Sequence, residues 1–304
     1  MCFAFLHFGG LVFLQAIIYL GSSIVIMERF IPIEFLKNIQ SYKITCFWLV
    51  PPMYYAILHL KEFETFDLSS LKWVVSFGAP GSPEQLRRFH QFCPKAALLH
   101  GWGMTETNAP NVVLPKDSEK LESVGKVAPW IEVKIFSSEV GNEQDKELPK
   151  GQIGEIVIKG WVVTDGYYKD DALTKETLRN GWFHTGDLGK FDNEDFLYIM
   201  GRKKEMIKVA GEIVFEPEVE TALYKHPDIL EVAVIGVADK LRGEVPKAII
   251  AFKEGKSVSE QELRSFCREH LAHFKIPHYF EFLKQLPKNR VGKIDKAILR
   301  KQPL

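Results

Sequence analysis

Residues 23–110 alternate short apolar runs with amphipathic stretches, and that alternation limits the fold more than any other feature. "SIVIM" leads to helical "IEFLKNIQSY", then "ITCFWLV", helical "MYYAILHL", "KWVVSF", helical "PEQLRRFHQF" and "AALLH". Strand–helix alternation of this kind predicts a mostly parallel sheet covered by helices on both faces. Ligands of open α/β sheets bind beyond the carboxyl ends of the strands. Two glycine-containing segments stand there: Gly78-Ala79-Pro80 after "WVVSF", and Gly101–Glu106 in "HGWGMTETNAP" after "AALL". The second puts two glycines, the flat ring of Trp102, a hydroxyl (Thr105) and a carboxylate (Glu106) at one strand end.

From about Ser123 the texture changes. "IEVKIF" (131–136) and "GEIVIKG" (154–160) alternate with period two, separated by turn-rich "EVGNEQ" and "LPKGQIG", which predicts a small antiparallel sheet or barrel. Beyond Arg202 come a hairpin ("EMIKVAGEIVFE"), a helix, strands "LEVAVIGV" and "KAIIAF", a second helix and "YFEFLKQL". The second helix opens with Ser259-x-x-Glu262, a capping pattern, and would bury Leu263, Phe266, Cys267 and Leu271. The expected organisation is an α/β part (1–122) and a β-rich part (123–200) of one large domain, then a small α+β domain over 203–304.

The balance of 39 Lys plus Arg against 39 Asp plus Glu argues against a general electrostatic grip on nucleic acid. Cys2, Cys46, Cys93 and Cys267 form no Cys-x-x-Cys pair, which argues against a zinc site or disulfide framework and suits a reducing cytosol. Met1 to Met27 contains no charged residue, a run long enough to suggest a membrane span. Gly9-Gly10 and Gly21-Ser22-Ser23 break it, and no basic segment precedes it. A buried helix over about Leu11–Leu20 and a buried strand over Ser23–Met27 are the expectation, without a transmembrane span.

Further chemistry lies in "GYYKDDALT" ending at Thr174, in "GWFHTGDLGKFD", where Asp187 follows a Thr-Gly turn signal, in "GRKKEMIKVAGEIVFEPEVE", and in "LPKNRVGKIDK", which carries Lys293. Gly292-Lys293 is not a phosphate loop, because the earlier glycine and the following Ser/Thr are missing.

In this order, from "HFGG" at His7 to Lys293, these motifs resemble the adenylate-forming superfamily of acyl-CoA synthetases, coumarate-CoA-type ligases, luciferases and peptide-synthetase adenylation domains. The resemblance implies ATP-dependent condensation of a carboxylic acid to an acyl-adenylate, with transfer of the acyl group to a thiol, that of CoA. It puts Gly78, Ala79 and Pro80 against the adenine, and the backbone of Gly101 and Gly103 with Trp102 along the base and acyl group. Thr105 is implied to contact phosphate and Glu106 to hold Mg²⁺. Asp187 meets the ribose hydroxyls, with Ile199 and Arg202 beside the nucleotide. Lys204 matches a hinge about which the small domain rotates, and Lys293 a lysine brought to the α-phosphate. Lys208 and Gly211 lie on a hairpin that faces the site after rotation, Gly211 leaving room for the pantetheine arm. His7 matches a residue of the acyl pocket.

Two departures accompany the match. The family's phosphate loop, ending in Pro-Lys, belongs upstream of His7, so the chain is expected to be the C-terminal part of an acyl-activating enzyme that forms little adenylate alone. Ile213 stands where many relatives carry a polar or basic residue. The Trp-Gly-Met-Thr-Glu form points to a fatty acid. Transfer to a carrier-protein thiol, a non-catalytic nucleotide-binding remnant and a membrane-anchored protein stay open beside this reading.

Overall fold

The apolar N-terminal run folds as helix α1 (Phe8–Tyr19), which takes in Gly9 and Gly10 and ends before Gly21. The computed structural model describes residues 8–78, 83–108, 110–116, 118–137, 145–289 and 294–301. The helix is not buried as expected: Leu11 is 48%, Ile18 71% and Tyr19 90% exposed. Residues 23–27 form no strand, and Ile26 is 57% exposed. A helix apolar on all sides has no stripe that selects a covering surface, so its composition could not show whether anything would cover it.

The expected alternation follows. Helices α2 (Pro32–Tyr42), α3 (Pro51–Leu58) and α4 (Pro83–His90) each begin with proline, whose missing N–H costs nothing in the first turn. Between and after them run β1 (Cys46–Leu49), β2 (Trp73–Ser76) and β3 (Ala97–Trp102). These three strands pair in parallel, with Phe47, Val74 and Leu98 in register. Two short strands, β4 (Val112–Val113) and β5 (Lys126–Val127), extend the sheet antiparallel in the order β1-β2-β3-β4-β5.

Aromatic packing holds this sheet to its helices. Phe47 from β1 meets the Phe89 ring edge-on at 5.8 Å, and Tyr54 from α3 meets it at 5.2 Å. Tyr54 is fully buried, and its hydroxyl donates to the Val75 carbonyl at 2.9 Å. Each such ring contributes about 1.5–3 kcal/mol by burial, provided its polar atom is satisfied.

A second sheet contains β6 (Glu132–Phe136), β7 (Gly154–Lys159), β8 (Leu178–Arg179), β9 (Trp182–Phe191) and β10 (Leu197–Arg202), with helix α5 (Asp171–Thr177) before β8. Its order is β10-β9-β7-β6, and β8 pairs antiparallel with β9. The alternation read in "GEIVIKG" does not sort its side chains into inside and outside. Ile156, Val157 and Ile158 are all fully buried, as in a strand covered on both faces.

The hairpin β11 (Met206–Val209) and β12 (Glu212–Phe215) leads to helix α6 (Glu216–Leu223) and a long antiparallel pair, β13 (Ile229–Asp239) and β14 (Gly243–Phe252). Helix α7 (Glu260–His270), strand β15 (Tyr279–Phe282), parallel to β14, and helix α8 (Lys296–Leu299) complete the α+β arrangement. The sheet order is β12-β11-β14-β13, with β15 on β14. The Ser259 hydroxyl accepts from the Glu262 amide while the Glu262 carboxylate accepts from the Ser259 amide, the capping box read in the sequence. Leu263 and Cys267 are fully buried on α7, while Phe266 and Leu271 are half-buried.

The chain divides into two compact units: Met1–Lys134 with Val157–His184 and Phe191–Tyr198, and Ile135–Ile156 with Thr185–Lys190 and Ile199–Leu304. Among the described residues no helix is long and apolar enough to cross a membrane. The 12 residues of α1 span about 18 Å, against a hydrocarbon core of about 30 Å.

Candidate functional site

Among the described residues, those singled out in the sequence fall in both units. In the first unit, β3 carries Gly101 and Trp102 to its carboxyl end, and Gly103 leads into a single 3₁₀ turn, Thr105–Thr107. A Cβ on Gly101 would lie 2.2 Å from the Val112 carbonyl oxygen and 3.0 Å from the Phe77 ring. The glycine is therefore required by the β3–β4 pairing itself, a reason the sequence does not show. Trp102 is half-buried and packs on the cluster of Ala128, Ile131, Ile158 and Val162, so its ring belongs in part to the core. Gly78, past the end of β2, has φ +93°, a conformation that favours glycine.

The turn holding Thr105 and Glu106 is braced from below by fully buried polar side chains. The Thr107 hydroxyl donates to Asn111 Oδ1, and Asn111 Nδ2 donates to the Thr107 carbonyl at 2.8 Å. With its neighbour locked, Thr105 stays exposed and Glu106 half-exposed. Glu106 is held from another element: the Tyr167 hydroxyl donates to Glu106 Oε1 at 3.0 Å, and the Thr164 amide to the Glu106 carbonyl at 2.8 Å. Burial and the adjacent carboxylate push the Tyr167 phenol up to about 12, so it is a donor at neutral pH. The second carboxylate oxygen of Glu106 has no hydrogen bond or ion pair among the described residues.

In the second unit the central acid is Asp187, whose side chain is 8% exposed and lies 2.9 Å from Arg202 Nε. Its segment is not the turn expected from Thr-Gly-Asp: residues 185–187 lie inside β9. Gly186 nevertheless has φ +70°, which kinks the strand there. The Thr185 hydroxyl fixes the kink, donating to the Ile156 carbonyl at 2.7 Å and accepting the Asp187 amide at 3.0 Å. The Gly186 amide donates to Glu155 Oε1 at 3.2 Å. Glu155 is itself buried and lies 3.4 Å from Lys203 Nζ. A buried carboxylate needs such partners, because desolvation alone would neutralise it. Arg202 is half exposed, so the Asp187–Arg202 pair presents charge and hydrogen-bonding capacity at the surface of its unit.

Ile199 is half-buried on β10, and Lys204 is exposed in the 3₁₀ turn Lys203–Glu205. Lys208 is exposed on β11. Gly211 sits in the β11–β12 turn at φ +92°, and a Cβ there would meet nothing within 4 Å. Ile213, the apolar departure on the same hairpin, is 45% exposed. His7, Ala79, Pro80 and Lys293 lie outside the described residues.

Tyr167, Glu155, Thr107 and Asn111 were missed as supporting residues. "GYYKDDALT" drew attention without suggesting which atom mattered, and Glu155 reads as the polar member of an alternating strand. Glu106 suits Mg²⁺, which is bound through one or two carboxylates together with substrate phosphates. No group of three or more His, Cys, Asp or Glu side chains among the described residues could hold a metal ion without such phosphates.

Comparison with known proteins shows the family of the chain. A family model described as AMP-binding enzyme matches residues 1–168, and one for the AMP-binding enzyme C-terminal domain matches residues 218–293. A long-chain-fatty-acid–CoA ligase of Bacillus subtilis is 37% identical over 294 residues, covering 95% of this chain and 51% of the relative. The 4-coumarate–CoA ligase CCL1 of Humulus lupulus is 34% identical over 286 residues, covering 92% of this chain and 52% of the relative. The chain thus spans about half the length of the curated relatives it matches. The structure of o-succinylbenzoate CoA synthetase from Bacillus subtilis, solved with its acyl-adenylate intermediate, superposes with a TM-score of 0.88 at 31% identity, covering all of this chain and 60% of that one.

Proposed function

Because the chain belongs to the AMP-binding enzyme family, we propose that it serves the ATP-dependent activation of a carboxylic acid to an acyl-adenylate and transfer of the acyl group to the CoA thiol. The observation that carries this reading is the Asp187–Arg202 pair, a nearly buried carboxylate held on a half-exposed guanidinium by a kink in β9. Such a carboxylate accepts two neighbouring hydroxyls, as a ribose offers, in charge-assisted hydrogen bonds. The same protein matched with its acyl-adenylate was also solved with ATP and a magnesium ion, which supports ATP and Mg²⁺ as the requirements here.

In this proposal Asp187 takes the ribose, Arg202 and Ile199 flank the nucleotide, and Gly78, Ala79 and Pro80 lie against the adenine. Gly101, Trp102 and Gly103 line the base and acyl group, with His7 in the acyl pocket. Thr105 donates to a phosphate oxygen. Glu106 would hold Mg²⁺, which neutralises and orients phosphate oxygens when bound. Lys293 supplies positive charge between the acid's carboxylate and the α-phosphate, an electrostatic contribution to the first half-reaction. For the second, the part beginning at residue 203 turns about Lys204 and presents Lys208 and Gly211 to the thiol. The compartment proposed is the cytosol, in keeping with free thiols at Cys46, Cys93 and Cys267.

We read the acid as a fatty acid, following the bacterial relative; the coumarate ligase at 34% identity makes an aryl acid the competing choice. The test is incubation with ATP, Mg²⁺, CoA and, in parallel, medium-chain and long-chain fatty acids, p-coumarate and o-succinylbenzoate. Mass spectrometry then detects acyl-adenylate and thioester. A small amount of fatty acyl product that requires ATP and Mg²⁺, formed slowly by this chain alone, is expected. Neither product with any acid would overturn the reading.

A further inference from the structure

Two consecutive tyrosines occupy the segment "GYYKDDALT", and only the first turns inward. Tyr168 is 88% exposed, whereas Tyr167 places its hydroxyl 3.0 Å from Glu106 Oε1, 61 residues away in sequence. The rest of the segment fixes where that hydroxyl lies. The Tyr167 amide donates to Thr174 Oγ1 at 2.9 Å, and that hydroxyl donates to the Asp170 carbonyl at 2.8 Å. Asp170 caps α5 by accepting the Leu173 amide at 3.0 Å. Thr174 fits only because residue 166 is glycine: a Cβ there would lie 2.7 Å from Thr174 Cγ2 and 2.9 Å from its hydroxyl. The Thr164 amide, bonded to the Glu106 carbonyl at 2.8 Å, ties the beginning of the segment to the same residue.

We propose that Tyr167 is a positioning residue for Glu106: its hydroxyl holds one carboxylate oxygen and leaves the other to meet a divalent cation carried by the nucleotide phosphates. Thr174, acting through the Tyr167 amide, sets the reach of that hydroxyl. The role of Glu106 toward the cation rests on the function proposed above; the Tyr167–Glu106 contact does not. A glutamate has three rotatable side-chain bonds, and a ligand oxygen left to wander among rotamers binds a cation less well than one already aimed. Groups that orient a ligating carboxylate in this way cost about 10–100-fold in metal affinity when removed.

Two measurements decide it. The first needs no ligand: the near-ultraviolet tyrosine difference spectrum caused by Glu106→Gln, recorded in the unsubstituted chain and in Tyr167→Phe. A tyrosine band that disappears in the Tyr167→Phe background is expected; the same band in both backgrounds would overturn the contact. The second is calorimetric affinity for ATP with Mg²⁺ and with EDTA. Tyr167→Phe and Thr174→Val should each reduce the Mg²⁺-dependent gain about tenfold, leave the EDTA value within about twofold, and Thr174→Ser should restore it. Equal losses with and without Mg²⁺ would make Tyr167 a mere brace and overturn the positioning role, as would no loss. If the unsubstituted chain binds no ATP in either condition, the proposed function fails, and with it the cation role. The difference spectrum still decides the contact.

Discussion

The two-residue turn between β11 and β12 separates backbone strain from chemistry at Gly211. Ala210 has φ +50° and Gly211 φ +92°, the two positive values that a type I′ hairpin loop requires. A Cβ on Gly211 would touch nothing, so in this conformation Gly211→Ala meets only backbone strain. An L-residue in the left-handed region costs about 1–2 kcal/mol, and restricting the unfolded chain returns about 0.4–1 kcal/mol. The expected net loss is about 1 kcal/mol. Ala210→Gly reverses the exchange and should stabilise the hairpin by about 0.5–1 kcal/mol. All six tryptophans precede residue 183, so intrinsic fluorescence is blind to this region. Amide hydrogen exchange of peptides covering 206–215 is the suitable assay. Faster exchange in Gly211→Ala and slower exchange in Ala210→Gly are expected; the opposite order would refute the turn assignment. Asparagine tolerates positive φ while adding a side chain, so Gly211→Asn should slow thioester formation if the position must stay open. If only the backbone matters, Gly211→Asn leaves that step intact.

Other expectations follow from buried polar groups. Lys296, 18% exposed, lies 2.8 Å from Glu216 and 2.7 Å from Glu220, and Arg300 lies 2.8 Å from Glu216. Burial pulls the Lys296 ammonium down, but Glu220 and Glu216 together more than offset it and leave it raised from 10.5. Its contribution is therefore complete below that value and lost as pH rises through the higher folded value. Lys296→Met removes the cation beside Glu220 while Glu216 keeps Arg300, and should cost about 3 kcal/mol at pH 8. Burial already raises Glu220 above its ordinary 4.5, so the deficit should shrink as pH falls to 4.5 and that acid takes up its proton; urea titrations at both pH values test this. Asn111→Ala leaves the Thr107 carbonyl and hydroxyl without their buried partner and should cost about 1–3 kcal/mol in urea-induced unfolding of the first unit. Ser259→Ala removes the cap of α7 and should cost about 1 kcal/mol, read as a lower urea midpoint of the second unit.

What the sequence showed well was local. The prolines opening α2, α3 and α4, the apolar runs of β1 to β3 and the Ser259–Glu262 box each depend on residues within a few positions of one another. Burial was less legible. The charge-free N-terminus formed its helix but left Ile18 and Tyr19 exposed, because periodicity reports which side chains could be buried and not what covers them. The sequence does not show that Gly101 is also demanded by the Val112 carbonyl, a contact made only when β3 and β4 pair. The supporting residues of the site were the hardest to see. Tyr167 reaches Glu106 across 61 residues and Glu155 reaches Gly186 across 31, distances at which no local pattern survives. The carboxylates at positions 106 and 187 stood out through the motifs that carry them, Gly101–Glu106 and Thr-Gly-Asp; the groups that aim them resembled ordinary strand and loop residues.

The central claim is that Asp187 and Arg202 form a nucleotide-binding pair, and calorimetric titration of the chain with AMP tests it most directly. AMP should bind to one site, and Asp187→Asn, which keeps the shape but lowers the charge offered to the ribose, should weaken binding about tenfold or more. Circular dichroism should show the variant folded. Absence of AMP binding by the unsubstituted chain, or an unchanged affinity in a folded Asp187→Asn variant, would contradict the account.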